Sequence, residues 1–187
     1  MRMVATTNPE VIIVGAGPVG LMLACELRLL GLSPVVLERL PRPTGLSKAL
    51  GLQGRGIDLL EARGLFDRFL ASGAPLGSFA HFAGIRLDVG KLGETAARSL
   101  FIQQARTEAL LEARATELGV DLRRGQEVIA LDQDDDGVTV RTSGDAGEDT
   151  LRARYLVGCD GAGASCGAAP ASSSRARRLR SSCAWAT

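Results

Sequence analysis

The chain has 187 residues, 45% of them hydrophobic, which is enough for one domain with a sizeable core and too apolar for a chain that stays unfolded. Lys and Arg number 22 against 21 Asp and Glu, and the formal charge of +1 excludes a whole-chain field that would gather nucleic acid or an acidic membrane. No apolar run approaches the roughly 20 residues needed to span a bilayer, and no secretory signal is visible, so the expected compartment is the cytoplasm.

Residues 1–9 read as a loose terminus. Val11-Ile-Ile-Val14 is an unbroken β-branched run, as expected of a strand buried on both faces. A glycine turn follows from Gly15 to Gly20, with Pro18 suited to the first turn of a helix, where its missing N–H costs nothing. Leu21 to Leu30 is predicted helical, with Leu23, Ala24, Leu27 and Leu30 on one face and Gly31 closing it. Pro34 to Glu38 is a second apolar strand that ends in an acid. Strand, glycine turn, helix and strand together spell a parallel βαβ unit.

Leu40 to Gly54 is rich in turn formers and predicts a loop; Gly54–Arg63 and Leu65–Ala71 predict helices broken at Gly64. Leu76 to Leu100 is mixed, with strand-like pieces at Phe79–Phe82 and Ile85–Val89. Arg106 to Leu118 predicts an amphipathic helix with Leu110, Leu111, Ala115 and Leu118 on one face. Strands follow at Val120–Arg123, Glu127–Leu131 and Val138–Thr142, with a turn at Asp132–Asp136. A last strand, Thr150 to Val157, runs into Gly158-Cys-Asp-Gly161. Beyond Gly161 the residues are almost wholly Ala, Ser, Arg, Gly, Pro and Cys, and no period of a strand or helix survives.

The strongest chemical signal is Gly15-x-Gly17-x-x-Gly20 with Glu38 behind it. Gly15 permits the tight turn out of the strand. Gly17 has no Cβ to keep the backbone away from a pyrophosphate, and Gly20 lets the helix pack close to the sheet. The free N–H groups and the positive dipole end of the helix then face the phosphates. Glu38, 23 residues after Gly15, can accept from both hydroxyls of a ribose and would repel a 2′-phosphate, so the site favours FAD or NAD over NADP.

The motif Val11-Ile-Ile-Val-Gly-Ala-Gly-Pro-Val-Gly-Leu-Met-Leu-Ala24, followed by Val-Val-Leu-Glu-Arg39, resembles the opening of the para-hydroxybenzoate-hydroxylase-type flavoprotein monooxygenases. Within that group it is most similar to the aromatic-polyketide hydroxylases of actinomycete antibiotic pathways, of the angucycline and anthracycline type. The segment from Gln104 through Leu-Gly-Val to Arg-Arg-Gly125 resembles the family's Gln-x-x-x-Glu-x-x-Leu helix and the strand after it. Tyr155-Leu-Val-Gly-Cys-Asp-Gly161 resembles its second fingerprint, an Asp-Gly turn that plain NAD dehydrogenases lack.

The resemblance implies an α/β fold: a Rossmann-like FAD-binding βαβ domain of the glutathione-reductase type over 10–161, incomplete, with a β-hairpin or meander insertion. It implies that Gly15, Gly17, Pro18 and Gly20 hold the FAD pyrophosphate, that Glu38 binds the adenosine ribose, and that Arg39 lies near the adenine end. Arg55 would reach the pyrophosphate or ribityl region, Gln104 the flavin side, and Asp160 would hold FAD and shape the path of NADPH. The implied reaction is hydroxylation of a small aromatic substrate with molecular oxygen, through a flavin C4a-hydroperoxide, with NADPH as co-substrate. It calls for no protein nucleophile and no metal, so no catalytic side chain is assigned.

Other residues read as structural. Cys25 and Cys159 are packing residues, and the four cysteines, Cys166 and Cys183 included, lack metal-ligand spacing. His81, the one histidine, is structural or on the surface; Asp134-Asp-Asp136-Gly137 is a charged turn without the spaced ligands of a calcium loop. Arg175 to Arg180 holds four arginines without interleaved aromatics and reads as an incidental basic tail.

The sequence departs from the family pattern after Gly161. Where that pattern continues with apolar and Arg positions, this chain has Ala-Gly-Ala-Ser165-Cys-Gly-Ala-Ala-Pro. A GC-rich gene read in a shifted frame produces such a mixture, so a frameshift near Gly161–Ala164 and an unstructured, out-of-frame tail over 162–187 are expected. The family's later Gly-Asp motif and most of a substrate domain are not in the chain. On that ground the expectation is weak or absent FAD binding, no hydroxylation by these 187 residues alone, and poor solubility. Two alternatives stay open: a non-catalytic remnant that at most binds ADP-containing nucleotides, and a Rossmann-type NAD protein of another kind.

Overall fold

A computed structural model of the chain describes residues 9–72, 76–77, 79–88 and 99–161, with the side chains of 76–77, 79–82 and 86 left undescribed. The βαβ unit forms as β1 (Val11–Val14), α1 (Pro18–Leu29) and β2 (Pro34–Glu38). Four parallel strands make the central sheet in the order β12 (Tyr155–Gly158), β1, β2, β8 (Asp121–Arg124).

Its two middle strands are covered on both faces, which is why they carry no polar alternation. Successive side chains point to opposite faces. Val11 and Ile13 of β1 and Val36 of β2 therefore pack toward the helices. With them lie Leu21, Ala24 and Cys25 of α1, Ile57 and Leu60 of α2 (Arg55–Ala62), Phe69 of α3 (Phe66–Leu70), and Leu111 and Ala115 of α4 (Gln104–Glu117). Ile12, Val14, Val35 and Leu37 face the other way, against Val138, Val140 and Ala153. Those three belong to an antiparallel meander of β9 (Glu127–Asp134), β10 (Gly137–Gly144) and β11 (Gly147–Ala153). The result is meander, parallel sheet and helices in three layers around two apolar seams.

Several boundaries and faces differ from expectation. Helix α1 begins at Pro18 and ends at Leu29; it buries Leu21, Ala24 and Cys25, while Leu30 is 77% exposed. The apolar residues of α1 run most of the way round, so spacing alone did not select the face that meets the sheet. On α4, Thr107, Leu111 and Ala115 are buried and Leu110 and Leu118 only partly so. The expected loop before Gly54 contains β3 (Gly51–Gln53), which pairs with β7 (Ser99–Phe101), and β7 also pairs with β4 (Leu76–Gly77). The strand-like pieces form a hairpin of β5 (Phe79–Phe82) and β6 (Ile85–Asp88). Strand β9 extends to Asp134, leaving only Asp135 and Asp136 in the turn. There the Asp134 carboxylate accepts from the N–H groups of Asp136 and Gly137.

The single strand expected over Thr150–Val157 is in fact two. β11 ends at Ala153 and pairs with β10, and β12 starts at Tyr155 and pairs with β1 in the other layer. No Gly or Pro marks that change, because it is made by which partner each half finds. The expected tail over 162–187, with Ser165 and Arg175–Arg180, lies outside the described residues, as does the side chain of His81.

Candidate functional site

Three strand ends converge at the carboxyl edge of the parallel sheet, where open α/β sheets place their ligands. The Gly15 N–H donates to the Leu37 carbonyl at 2.7 Å, and the Cys159 N–H to the Val14 carbonyl at 2.7 Å. These bonds draw the glycine turn, the end of β2 and the Cys159-Asp160-Gly161 turn together around a cavity of about 640 Å³, a size ordinary for a cofactor site.

The three glycines do different work. Gly15 has φ +106°, and a Cβ there would sit 2.5 Å from the Cys159 carbonyl oxygen. A Cβ on Gly20 would overlap the Gly15 carbonyl oxygen and crowd the Cys159 side chain, so α1 can lie this close to the sheet only without one. Gly17, the N-cap of α1, has ordinary backbone angles, and a Cβ on it would meet no atom within 4 Å. The space in front of Gly17 is therefore cavity, open to a group that approaches the backbone. The first turn of α1 has no acidic residue and no side-chain cap, so its amino end is uncompensated and favours an anion.

Glu38 closes the other side. One carboxylate oxygen accepts from the Ala16 N–H at 2.8 Å and the other from the Leu40 N–H at 2.9 Å. The acid thus ties the glycine turn to the segment after β2, and each oxygen keeps a further lone pair. Arg39 and Asp160 line the same cavity, as do Gly15, Gly17 and Pro18. Gln104 also lines it and donates from Nε2 to Glu108 at 2.7 Å. Gly20 packs behind the turn and Arg55 opens α2; neither is among the residues lining the cavity.

Sequence reasoning missed part of this wall. Arg124, held by a bidentate pair with Glu112 at 2.7 and 3.1 Å, lines the cavity together with Gln126, Val128 and Cys159. Arg124 and Gln126 flank Gly125 between two strands, where no local pattern distinguishes a cavity residue from a solvated turn. Cys25 lies deep in the helix layer, with its thiol 4.0 Å from the Leu111 carbonyl, and burial pushes its pKa from the ordinary 9.0 to about 11.

The residues fit an adenine dinucleotide. An open, Cβ-free approach meets an uncapped helix end, and a carboxylate stands one strand away. Residues 8–177 match the family described as the FAD binding domain. The chain belongs to that family.

The FAD-binding domain is 51% identical over 156 residues to a 12-dehydrotetracycline 5-monooxygenase/anhydrotetracycline 6-monooxygenase of Streptomyces rimosus, covering 82% of this chain and 31% of the relative. It superposes on the anhydrotetracycline hydroxylase from Streptomyces rimosus with a TM-score of 0.79 and 49% identity, over 84% of this chain and 33% of that one. A ternary complex of aklavinone-11 hydroxylase with FAD and aklavinone superposes with a TM-score of 0.71 and 30% identity, over 86% and 34%. The FAD-binding domain spans about a third of the length of the curated relatives it matches. Among the described residues no helix is long and apolar enough to cross a membrane.

Proposed function

We propose that this FAD-binding domain serves an NAD(P)H-using monooxygenase that hydroxylates an aromatic polyketide or phenolic substrate with molecular oxygen, in the cytoplasm. The observation that carries the reading is the pairing of the open position at Gly17 with the Glu38 carboxylate in one cavity. The half-identity to tetracycline-pathway monooxygenases supports the substrate class.

In this reading the pyrophosphate of FAD lies against the amino end of α1. The exposed N–H groups of the first turn and its dipole offset the negative charge, and Gly15, Gly17 and Pro18 shape the approach. Glu38 accepts from the adenosine ribose through its remaining lone pairs. Its charge disfavours a 2′-phosphate there, so NADPH, the proposed co-substrate, binds elsewhere. Arg39 lies by the adenine end, Gln104 toward the flavin, and Asp160, in the cavity wall, helps hold FAD and shapes the path of NADPH. Arg55 is assigned to the FAD site by its motif position alone. Bound in this site, FAD would supply the redox chemistry that activates oxygen; the domain binds it and orients it.

Calorimetric titration of the 187-residue chain with FAD and with ADP tests the nucleotide site. ADP is expected to bind and FAD to bind weakly at best, and ADP binding to weaken on Gly17→Ala or Glu38→Ala. Equal affinity in those variants, or no binding of either nucleotide, would overturn the reading. NADPH oxidation dependent on an aromatic substrate, measured for this domain fused to the remaining two thirds of an anhydrotetracycline-type monooxygenase, tests the reaction class; the 187 residues alone are expected to show none.

A further inference from the structure

The cavity wall next to Glu38 is built from the meander by an irregularity. Arg141 of β10 faces Ala130, but the next residue, Thr142, faces Val128, so Ile129 is an extra residue on β9. A strand with period two would send Val128 and Leu131 to opposite faces. Because of this bulge both pack on the same apolar seam, and Ile129 turns outward, 46% exposed. The start of β9 is thereby re-aimed, with Gln126 and Val128 in the cavity wall.

Gln126 sits where the two sheets meet. Its backbone N–H donates to the carbonyl of Glu38 at 2.9 Å, extending the pairing of Glu38 with Arg124. Its side-chain oxygen accepts from the hydroxyl of Thr142 at 3.0 Å, and Thr142 is fully buried. A buried hydroxyl is held to its partner because leaving it unpaired is costly. Opposite, a Cβ on Gly144 would overlap the Gln126 carboxamide nitrogen and come within 2.6 Å of the Gly125 carbonyl oxygen, so the absence of a side chain at Gly144 makes room for that carboxamide.

We infer that Gln126 is a positioning residue for nucleotide recognition: Thr142 and Gly144 of the meander clamp its side chain, and its backbone fixes the end of β2 so that the Glu38 carboxylate faces a ribose. This rests on the reading of Glu38 given above. The meander layer thus takes part in ribose discrimination without touching the diphosphate.

The test compares the affinity of the chain for ADP with that for 2′,3′-dideoxyadenosine diphosphate, which lacks the hydroxyls Glu38 would accept. A single charge-assisted hydrogen bond at the low end of its range already predicts a preference for ADP of at least about tenfold in the wild type. Gln126→Ala and Thr142→Val are expected to cut that preference to about twofold, and Thr142→Val, at a residue that does not line the cavity, to leave dideoxy-ADP binding unchanged, while Thr142→Ser, which keeps the hydroxyl, retains the preference. The Val and Ser variants carry the test if Gln126→Ala fails to fold by urea denaturation. A variant series that weakens both nucleotides equally, or keeps the wild-type ratio, overturns the positioning role and leaves Glu38 as ribose acceptor intact. A wild type that does not distinguish the two nucleotides overturns the Glu38 reading, and the inference with it.

Discussion

Alanine at each of the three motif glycines separates folding from binding, because the added methyl meets a different obstacle at each. At Gly17 the Cβ meets nothing within 4 Å and the backbone angles, φ −75° and ψ −179°, suit any residue. Loss of a good N-cap residue costs several tenths of a kcal/mol, and the smaller freedom of the unfolded chain returns about 0.4–1 kcal/mol, so stability should stay within about 0.5 kcal/mol of wild type. At Gly15 the methyl must take φ +106° and sit 2.5 Å from the Cys159 carbonyl oxygen. Backbone strain of about 1–3 kcal/mol and a similar cost for displacing a backbone atom together predict a loss of roughly 2–6 kcal/mol. At Gly20 the methyl overlaps the Gly15 carbonyl, and the gain of about 1 kcal/mol from helix propensity offsets only part of that overlap. Urea denaturation at constant slope ranks the three, and titration with ADP reads the site. Gly17→Ala should fold like wild type yet bind at least about tenfold more weakly, since its methyl fills the space a diphosphate needs. If Gly17→Ala lost as much stability as Gly15→Ala, or bound ADP like wild type, the division of labour among the three would be wrong.

Further outcomes follow from the same geometry. Glu38→Ala removes the acceptor of the Ala16 and Leu40 N–H groups; Leu40 is exposed but Ala16 is buried, so unfolding should show a loss of about 1–3 kcal/mol. The Cys25 thiol, its pKa raised from 9.0 to about 11 by burial, should resist iodoacetamide at pH 8 in the folded chain and react once urea unfolds it. Because the folded state holds that proton more tightly, the stabilisation is complete below pH 9 and is lost as pH rises toward 11, which urea midpoints across that window would show. Asp134 runs the opposite way. The Arg152 guanidinium, and then the Asp136 N–H, hold its carboxyl down at about 2, so its contribution is present above the ordinary 3.8 and fades as pH falls toward 2; Asp134→Asn should flatten the acid limb of a pH–stability curve. Phe69→Ala, at a fully buried position in the helix layer, should cost about 3–5 kcal/mol by the same assay, whereas Leu30→Ser, at a 77% exposed position, should cost less than about 0.5 kcal/mol.

The chain order of residues determined the βαβ unit and its chemistry. A β-branched run, glycines at fixed offsets, Pro18 at a helix start and Glu38 at a strand end are local signals, each set by backbone sterics or by the charge a helix end prefers. The duty of Gly20 follows from spacing, since it meets the Gly15 carbonyl five residues back, whereas the close neighbour of Gly15 is Cys159, brought beside it by strand pairing.

Tertiary structure decided what depends on distant partners. The division of Thr150–Val157 between two sheets, the face of α1 that is buried, and the short strands β3 and β7 arise from pairings between residues far apart in sequence. So does the wall of the site: Gln126 becomes a cavity residue only because Thr142 and Gly144 from the meander hold it, and because the bulge at Ile129 turns the start of β9. A strand's side-chain period and a turn's composition carry no record of which surface will arrive opposite them, and the register between two layers exists only once both have folded.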